Sequence, residues 1–284
     1  MHGVIRNLAR RIHYPHRYAQ LTLLLPRFVA VSRERAICML LQLTASAYFD
    51  FLQQFASLAR DPVGYGVGVP RGDGRPILLI PGFTAGDWSL GTLARWLGRI
   101  GYKPYLSGID LNVGCPRRKV ELVGWRVEKI ARESGQRVTI IGHSLGGVLG
   151  RAIAASNPAA VREVIALGSP IRNAWSGVHD QLRPTLEAIQ SFWQTFSSAP
   201  ENCGTMECAC GIAEAVFAPT PPRGRFSAIY TRRDEVVQWQ ACLDDEGSNY
   251  EVSGLHVSLI VNREVYRLLA TILADTAVDE NAAA

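Results

Sequence analysis

Along most of this 284-residue chain, short apolar runs alternate with longer segments whose apolar positions recur every three or four residues. Ile77 to Ile80, framed by Pro76 and Pro81, is apolar throughout, the pattern of a strand covered on both faces in a parallel sheet. Val138 to Ile141, Glu163 to Leu167 and Phe226 to Tyr230 read as further strands, and Tyr102 to Ile109 and Tyr250 to Val252 as two less regular ones. Helices are expected over Asp87 to Ile100, Arg118 to Ser134, Val148 to Ala155 and Arg263 to Leu273. Strands alternating with helices imply an α/β domain, a mostly parallel sheet flanked by helices on right-handed crossovers. The rhythm breaks at Ile171 to Pro222, too long for an ordinary connection, and a lid-like insertion is expected there.

Ahead of the sheet, Ile37, Leu40, Leu41, Thr44, Tyr48, Phe51 and Phe55 fall at helical spacing, so a helix from Ser32 to Leu58 presents one apolar face. That face covers either the sheet domain or a lipid surface. Within it, Ala36 to Phe49 is 14 residues without a charge, short of the roughly 20 needed to cross a bilayer. Asp61-Pro62 ends the helix, and Gly64, Gly66, Gly68, Pro70, Gly72 and Gly74 read as a flexible connector. The expected organisation is an N-terminal helical arm over 1–62, the α/β domain over 75–275 and a tail over 276–284.

Charge refines this picture. The formal net charge is +5, but residues 1–35 contain seven arginines and only one acid, Glu34, so this arm is +6 and the remainder nearly neutral. No nucleic-acid partner is expected of the domain itself. The arm either contacts an anionic membrane peripherally or is a solvated leader. Its apolar run, Leu21 to Leu25, is too short for a signal peptide, so a cytoplasmic or membrane-peripheral location is expected.

The chemistry lies after the third strand, where Val138 to Ile141 runs into Gly142-His143-Ser144-Leu145-Gly146-Gly147. A bare G-x-S-x-G arises by chance in about one chain in ten of this length. A preceding strand and a following helix make it a nucleophile elbow, whose strained turn needs small residues beside the serine. A serine hydroxyl needs a base, and a carboxylate must hold that base. Of six histidines, His2, His13 and His16 lie in the arm, His143 adjoins the serine and His179 falls in the insertion, leaving His256 beyond the late strands. The acid should lie between Ser144 and His256. Asp234, just past the strand ending at Tyr230, is the candidate, with Glu235 as its rival. The oxyanion donors expected are the amides of Leu145, after the serine, and Phe83, in the loop after the first strand. This chemistry calls for no metal and no cofactor.

Together Leu79-Ile80-Pro81-Gly82-Phe83, Gly142 to Gly147, Leu167-Gly168-Ser169-Pro170, Tyr230 to Asp234 and Gly254-Leu255-His256 resemble bacterial α/β-hydrolase lipases and esterases, over roughly residues 75–275. The resemblance implies the α/β-hydrolase fold, a Ser144–Asp234–His256 triad and a small-molecule or lipid ester substrate. Pro-Gly-Phe stands where many lipases have His-Gly. Acyl transfer by the same triad and a non-catalytic binding module are the alternatives.

Cys203, Cys208 and Cys210 cluster in the insertion without zinc-site spacing, and a disulfide pinning the insertion, with Cys242 as a partner, is one expectation. Leu182, Leu186, Ile189, Trp193 and Phe196 form a helical apolar series there, as a lid or acyl-binding wall requires and as plain packing also gives.

Overall fold

The computed structural model describes residues 33–172, 176–195 and 225–283, with side chains over 45–172, 176–193 and 225–275. Two compact units are distinguished, Met1–Ala45 and Ser46–Ala284. Of the first, only the backbone from Arg33 onward is described, as the start of helix α1, Arg33–Arg60.

In the second unit, six parallel strands form one sheet among the described residues: β1 Pro76–Ile80, β2 Lys103–Leu106, β3 Val138–His143, β4 Val161–Leu167, β5 Arg225–Tyr230 and β6 Ser248–Glu251, in the order β2-β1-β3-β4-β5-β6. The order reverses between β1 and β3, so the carboxyl ends of these strands flank a switch point, where ligands of open α/β sheets bind. Helices α2 Gly91–Arg99, α3 Pro116–Ser134, α4 Leu145–Ser156, α5 Arg183–Thr195 and α6 Arg263–Ala283 complete the described elements.

The period of two along buried strands divides the core. Ile77 and Leu79 of β1 join Ile141, Leu167 and Ile229 beneath α2 and α6, where the Trp96 and Tyr266 rings meet at 4.6 Å. Leu78 and Ile80, on the opposite pleat, join Ile140, Val164 and Ala228 beneath α3 and α4. A parallel sheet covered on both faces needs such unbroken apolar strands.

Several elements differ from expectation for local reasons. Strand β2 ends at Leu106 because the Asp87 carboxylate captures the next amides, accepting from Ser107 N (3.2 Å), Ser107 Oγ (2.6 Å) and Gly108 N (2.7 Å). Asp87–Leu90 is a 3-10 turn, and the α-helix begins only at Gly91. Helix α6 continues to Ala283 through the expected tail. The glycine-rich connector is tied down, not flexible: Trp96 Nε1 donates to Val63 O (2.7 Å), and the amides of Gly72 and Gly74 donate to Ile100 O and Gly101 O. A Cβ at Gly64 would stand 2.3 Å from Leu58 O.

The inward face of helix α1 carries Asp50, Phe51, Gln54 and buried Leu58, whereas Tyr48 and Phe55 of the expected apolar series are exposed. The Asp50 carboxylate anchors this inward face by accepting the Leu255 N–H at 3.1 Å. Among the described residues, no helix is long and apolar enough to cross a membrane.

Of the insertion, Ile171–Arg172 and 176–195 are described, and Trp175, Phe196 and the cluster Cys203, Cys208 and Cys210 lie outside the described residues. Its base is zipped to the segment after β5 by a Val178–Val237 antiparallel bridge. In α5 the buried residue is Gln190, whose amide both accepts from Gly114 N (3.2 Å) and donates to Gly114 O (2.9 Å). Phe192 and Trp193 are exposed. Cys242 is a free thiol buried beside Tyr230 and Val237, not a disulfide partner of the insertion.

Candidate active site

Strand β3 ends at His143 and α4 starts at Leu145, so Ser144 alone makes the reversal, at φ 52° and ψ −122°. Such a backbone costs on the order of 1–3 kcal/mol for a residue with a Cβ. The motif glycines allow the close approach. A Cβ at Gly142 would lie 2.3 Å from Gly147 N, and one at Gly146 would lie 2.1 Å from Ile80 O. Ser144 N donates to Leu167 O at 2.8 Å, tying the turn to the end of β4.

Asp234 lies in the turn after β5. Its Oδ1 accepts from the amides of Val236 (2.9 Å) and Val237 (2.7 Å), and its Oδ2 is 2.7 Å from His256 Nδ1. Both residues are buried. Gly168, at φ 57°, makes room beside the pair: a Cβ there would be 3.1 Å from His256 Nδ1 and 3.3 Å from Asp234 Oδ2.

The loop carrying His256 is held from several directions. His256 N–H donates to Glu235 Oε2 at 2.8 Å, so Glu235 holds the backbone while Asp234 faces the ring. Thr231 Oγ1 donates to Gly254 O (2.8 Å), and Asn262 Nδ2 donates to Ser253 O (2.6 Å). His143 Nε2 donates to the His256 carbonyl (3.1 Å), and the two rings lie 4.9 Å apart. A carbonyl only accepts, so this bond places the proton of His143 on Nε2. Among the described residues no hydrogen bond joins Ser144 Oγ to His256. His143, adjacent to the serine, connects the two.

Burial pushes His143 down to about 3, reinforced by His256, and the ring is neutral. Burial also opposes charging of His256, but the charge of Asp234, its hydrogen bond and the Glu235 charge outweigh it, so His256 is raised above its ordinary 6.5. Burial raises Glu235 as well.

The loop Pro81 to Ala85 faces the elbow, a Cβ at Gly82 falling 3.2 Å from Ser144 Cβ. Asn112, fully buried, braces this loop. Its Nδ2 donates to Pro81 O (2.7 Å), its N donates to Ala85 O (2.7 Å) and its O accepts from Thr84 N (3.0 Å). Thr84 is held at φ 59°, the one other non-glycine with positive φ among the described residues. Leu145 N lies at the first position of α4, where an amide has no intrahelical partner, and the Phe83 amide lies in the braced loop.

Asn112, Asp50, and the backbone-holding roles of Glu235 and His143 are missing from the sequence reading. Each acts on a segment distant in sequence, so spacing carried no signal. Two of these residues were visible in other guises, His143 as the residue next to the serine and Glu235 as the rival of Asp234. His179 reaches the same region, its Nε2 lying 3.1 Å from Asp234 O.

Residues 118–218 match the model of a PGAP1-like alpha/beta domain. Over 108 residues, 35% of this chain, the sequence is 30% identical to triacylglycerol lipases of Pseudarthrobacter phenanthrenivorans and Burkholderia plantarii. The chain spans about a third of the length of these relatives, 34% and 30% respectively. Among solved structures it is similar to a mature lipase of Bacillus licheniformis (TM-score 0.54, 15% identity, 73% of this chain and 95% of that one) and to a soluble variant of the Saccharomyces cerevisiae monoglyceride lipase (TM-score 0.53, 13% identity, 73% and 90%). A metagenomic carboxyl esterase aligns over 75% of this chain and 78% of its own, with TM-score 0.51 and 15% identity.

Proposed function

We propose that this chain, which has the α/β-hydrolase fold and resembles lipases and esterases, hydrolyses carboxylic esters through an acyl-enzyme on Ser144. The observation that carries the reading is a serine held at positive φ on the elbow at the carboxyl edge of the sheet, beside a buried Asp234–His256 pair joined at 2.7 Å. No fold by itself implies a reaction, but this constellation has a specific chemical use.

In this reading the Ser144 Oγ attacks the ester carbonyl carbon while its proton passes to His256 Nε2. The imidazolium is stabilised by the Asp234 carboxylate, which also fixes the tautomer by accepting from Nδ1–H. The tetrahedral oxyanion takes hydrogen bonds from the amides of Phe83 and Leu145, and Asn112 keeps the first of these loops in place. Collapse breaks the bond to the alkoxy oxygen, which leaves as the alcohol with the proton from His256. A water then repeats the sequence on the acyl-enzyme, giving the acid and restoring Ser144.

The acyl group is apolar. Helix α5 anchors through Gln190 to Gly114, two residues from the loop-bracing Asn112, and presents Phe192 and Trp193 in contact at 5.8 Å. These rings form part of an acyl-binding wall or lid in this reading. The test is fluorophosphonate labelling, with hydrolysis of p-nitrophenyl esters of graded chain length by the wild type and Ser144→Ala. Labelling and turnover are expected in the wild type only, with a rise toward longer acyl chains. An unlabelled wild type refutes the acyl-enzyme, and products esterified to added alcohol in place of free acid would identify a transferase.

A further inference from the structure

Among the described residues nothing covers a large apolar surface of helix α1. Tyr48, Phe49, Leu52 and Phe55 are 66, 63, 45 and 43% exposed. At about 100° per residue they form a stripe roughly 120° wide on the side opposite Asp50, Phe51, Gln54 and Leu58. No charged residue interrupts the stripe, and Arg60 borders it at the last turn. Scattered exposed apolar residues are ordinary, but four large ones in two helical turns mark an interaction surface.

The chain immediately before this helix indicates the partner. Residues 1–35 carry seven arginines and one acid, while the rest of the molecule is close to neutral. Basic charge that precedes an amphipathic, aromatic-bearing helix in the sequence is a pair of signals for an anionic bilayer surface: such rings partition among acyl chains and headgroups, and arginines meet lipid phosphates. We propose that the Tyr48–Phe49–Leu52–Phe55 face of helix α1 docks this protein on anionic phospholipid membranes. The opposite face of α1 is tied through Asp50 to the loop of His256, so docking holds that loop close to the lipid surface. The proposal does not depend on the esterase reading, and its test uses no substrate.

The full-length protein is floated with phosphatidylcholine vesicles, with and without phosphatidylglycerol, at low and high salt. The wild type is expected to rise with the anionic vesicles and to be released by salt. The combined variant Tyr48→Gln, Phe49→Gln, Leu52→Gln and Phe55→Gln should bind about tenfold more weakly or worse, and Tyr48→Gln with Phe49→Gln, the two most exposed positions, should weaken binding with an unchanged melting temperature. A separate variant, Arg6→Gln, Arg10→Gln, Arg11→Gln, Arg17→Gln and Arg27→Gln, should fall to the level seen with neutral vesicles. Wild-type protein that stays with the buffer overturns the proposal, as does a stripe variant that binds undiminished. A wild-type dimer that the stripe variant converts to monomer, without vesicle binding, assigns the face to a second copy of the chain and likewise overturns it.

Discussion

Asp234→Asn separates the role of the carboxylate from its place in the fold. The Asp234 Oδ1 accepts two backbone amides, from Val236 and Val237, and an asparagine keeps both through its own Oδ1. Its NH2 then occupies the position of Oδ2, 2.7 Å from His256 Nδ1. Facing a donor, Nδ1 must accept, and the imidazole proton moves to Nε2, where it blocks transfer from Ser144. His256 also loses the charge and hydrogen bond that raise its pKa, while its burial remains, so its pKa falls. In a triad of this kind the wrong tautomer costs about 10^4-fold in kcat, or roughly 5.5 kcal/mol of activation free energy. Stability changes far less. Replacing charge-assisted by neutral hydrogen bonds to two amides costs about 1 kcal/mol, a shift of roughly 2–4 °C in Tm. The assay is p-nitrophenyl butyrate hydrolysis by wild type, Asp234→Asn and Glu235→Gln, with thermal unfolding of each. Asp234→Asn retaining kcat within about tenfold of wild type refutes the assignment of Asp234. A larger loss in Glu235→Gln would transfer the role to the neighbouring carboxylate.

The wild-type kcat/KM is expected to rise with pH through one ionisation above 6.5, because His256 must be neutral to accept the proton and its pKa is raised; a profile flat from pH 5 to 8 contradicts this. Ser144→Gly should abolish activity yet raise stability by about 1 kcal/mol, since glycine adopts φ 52° without strain, and an unchanged or lower Tm would show that the elbow stores none. Asn112→Ala leaves the Pro81 carbonyl without its donor and is expected to cost about 1–3 kcal/mol and to lower kcat more than it raises KM; a pure KM effect would remove Asn112 from oxyanion-loop support. His143, held to about 3 in the fold, gains its proton on unfolding. Below pH 6.5 it therefore withdraws about 1.4 kcal/mol of stability per pH unit, and denaturant titrations of His143→Gln should show a shallower acid loss than the wild type. Curves of equal slope would refute a buried neutral His143.

The alternation of apolar strands and amphipathic helices determined the sheet class, because a strand buried on both faces admits few polar residues and leaves a clear record. The elbow was equally legible, since a turn that must reverse in one residue admits only small neighbours, as at Gly142 and Gly146. The candidates His256 and Asp234 followed from residue type and order, and the fold brings them within 2.7 Å. Tertiary structure decided what depends on partners far away in sequence. Asp234 and Glu235 are indistinguishable as neighbours in a string, and only the fold turns one to the ring and the other to the backbone of His256. Whether the apolar series of helix α1 meets the sheet domain or a lipid surface stayed open in the sequence, because a hydrophobic count cannot anticipate that Asp50 turns inward to meet the Leu255 amide. Asn112 and Gln190 left no trace in any pattern, since a side-chain amide clamping a distant backbone is a contact of three-dimensional space alone.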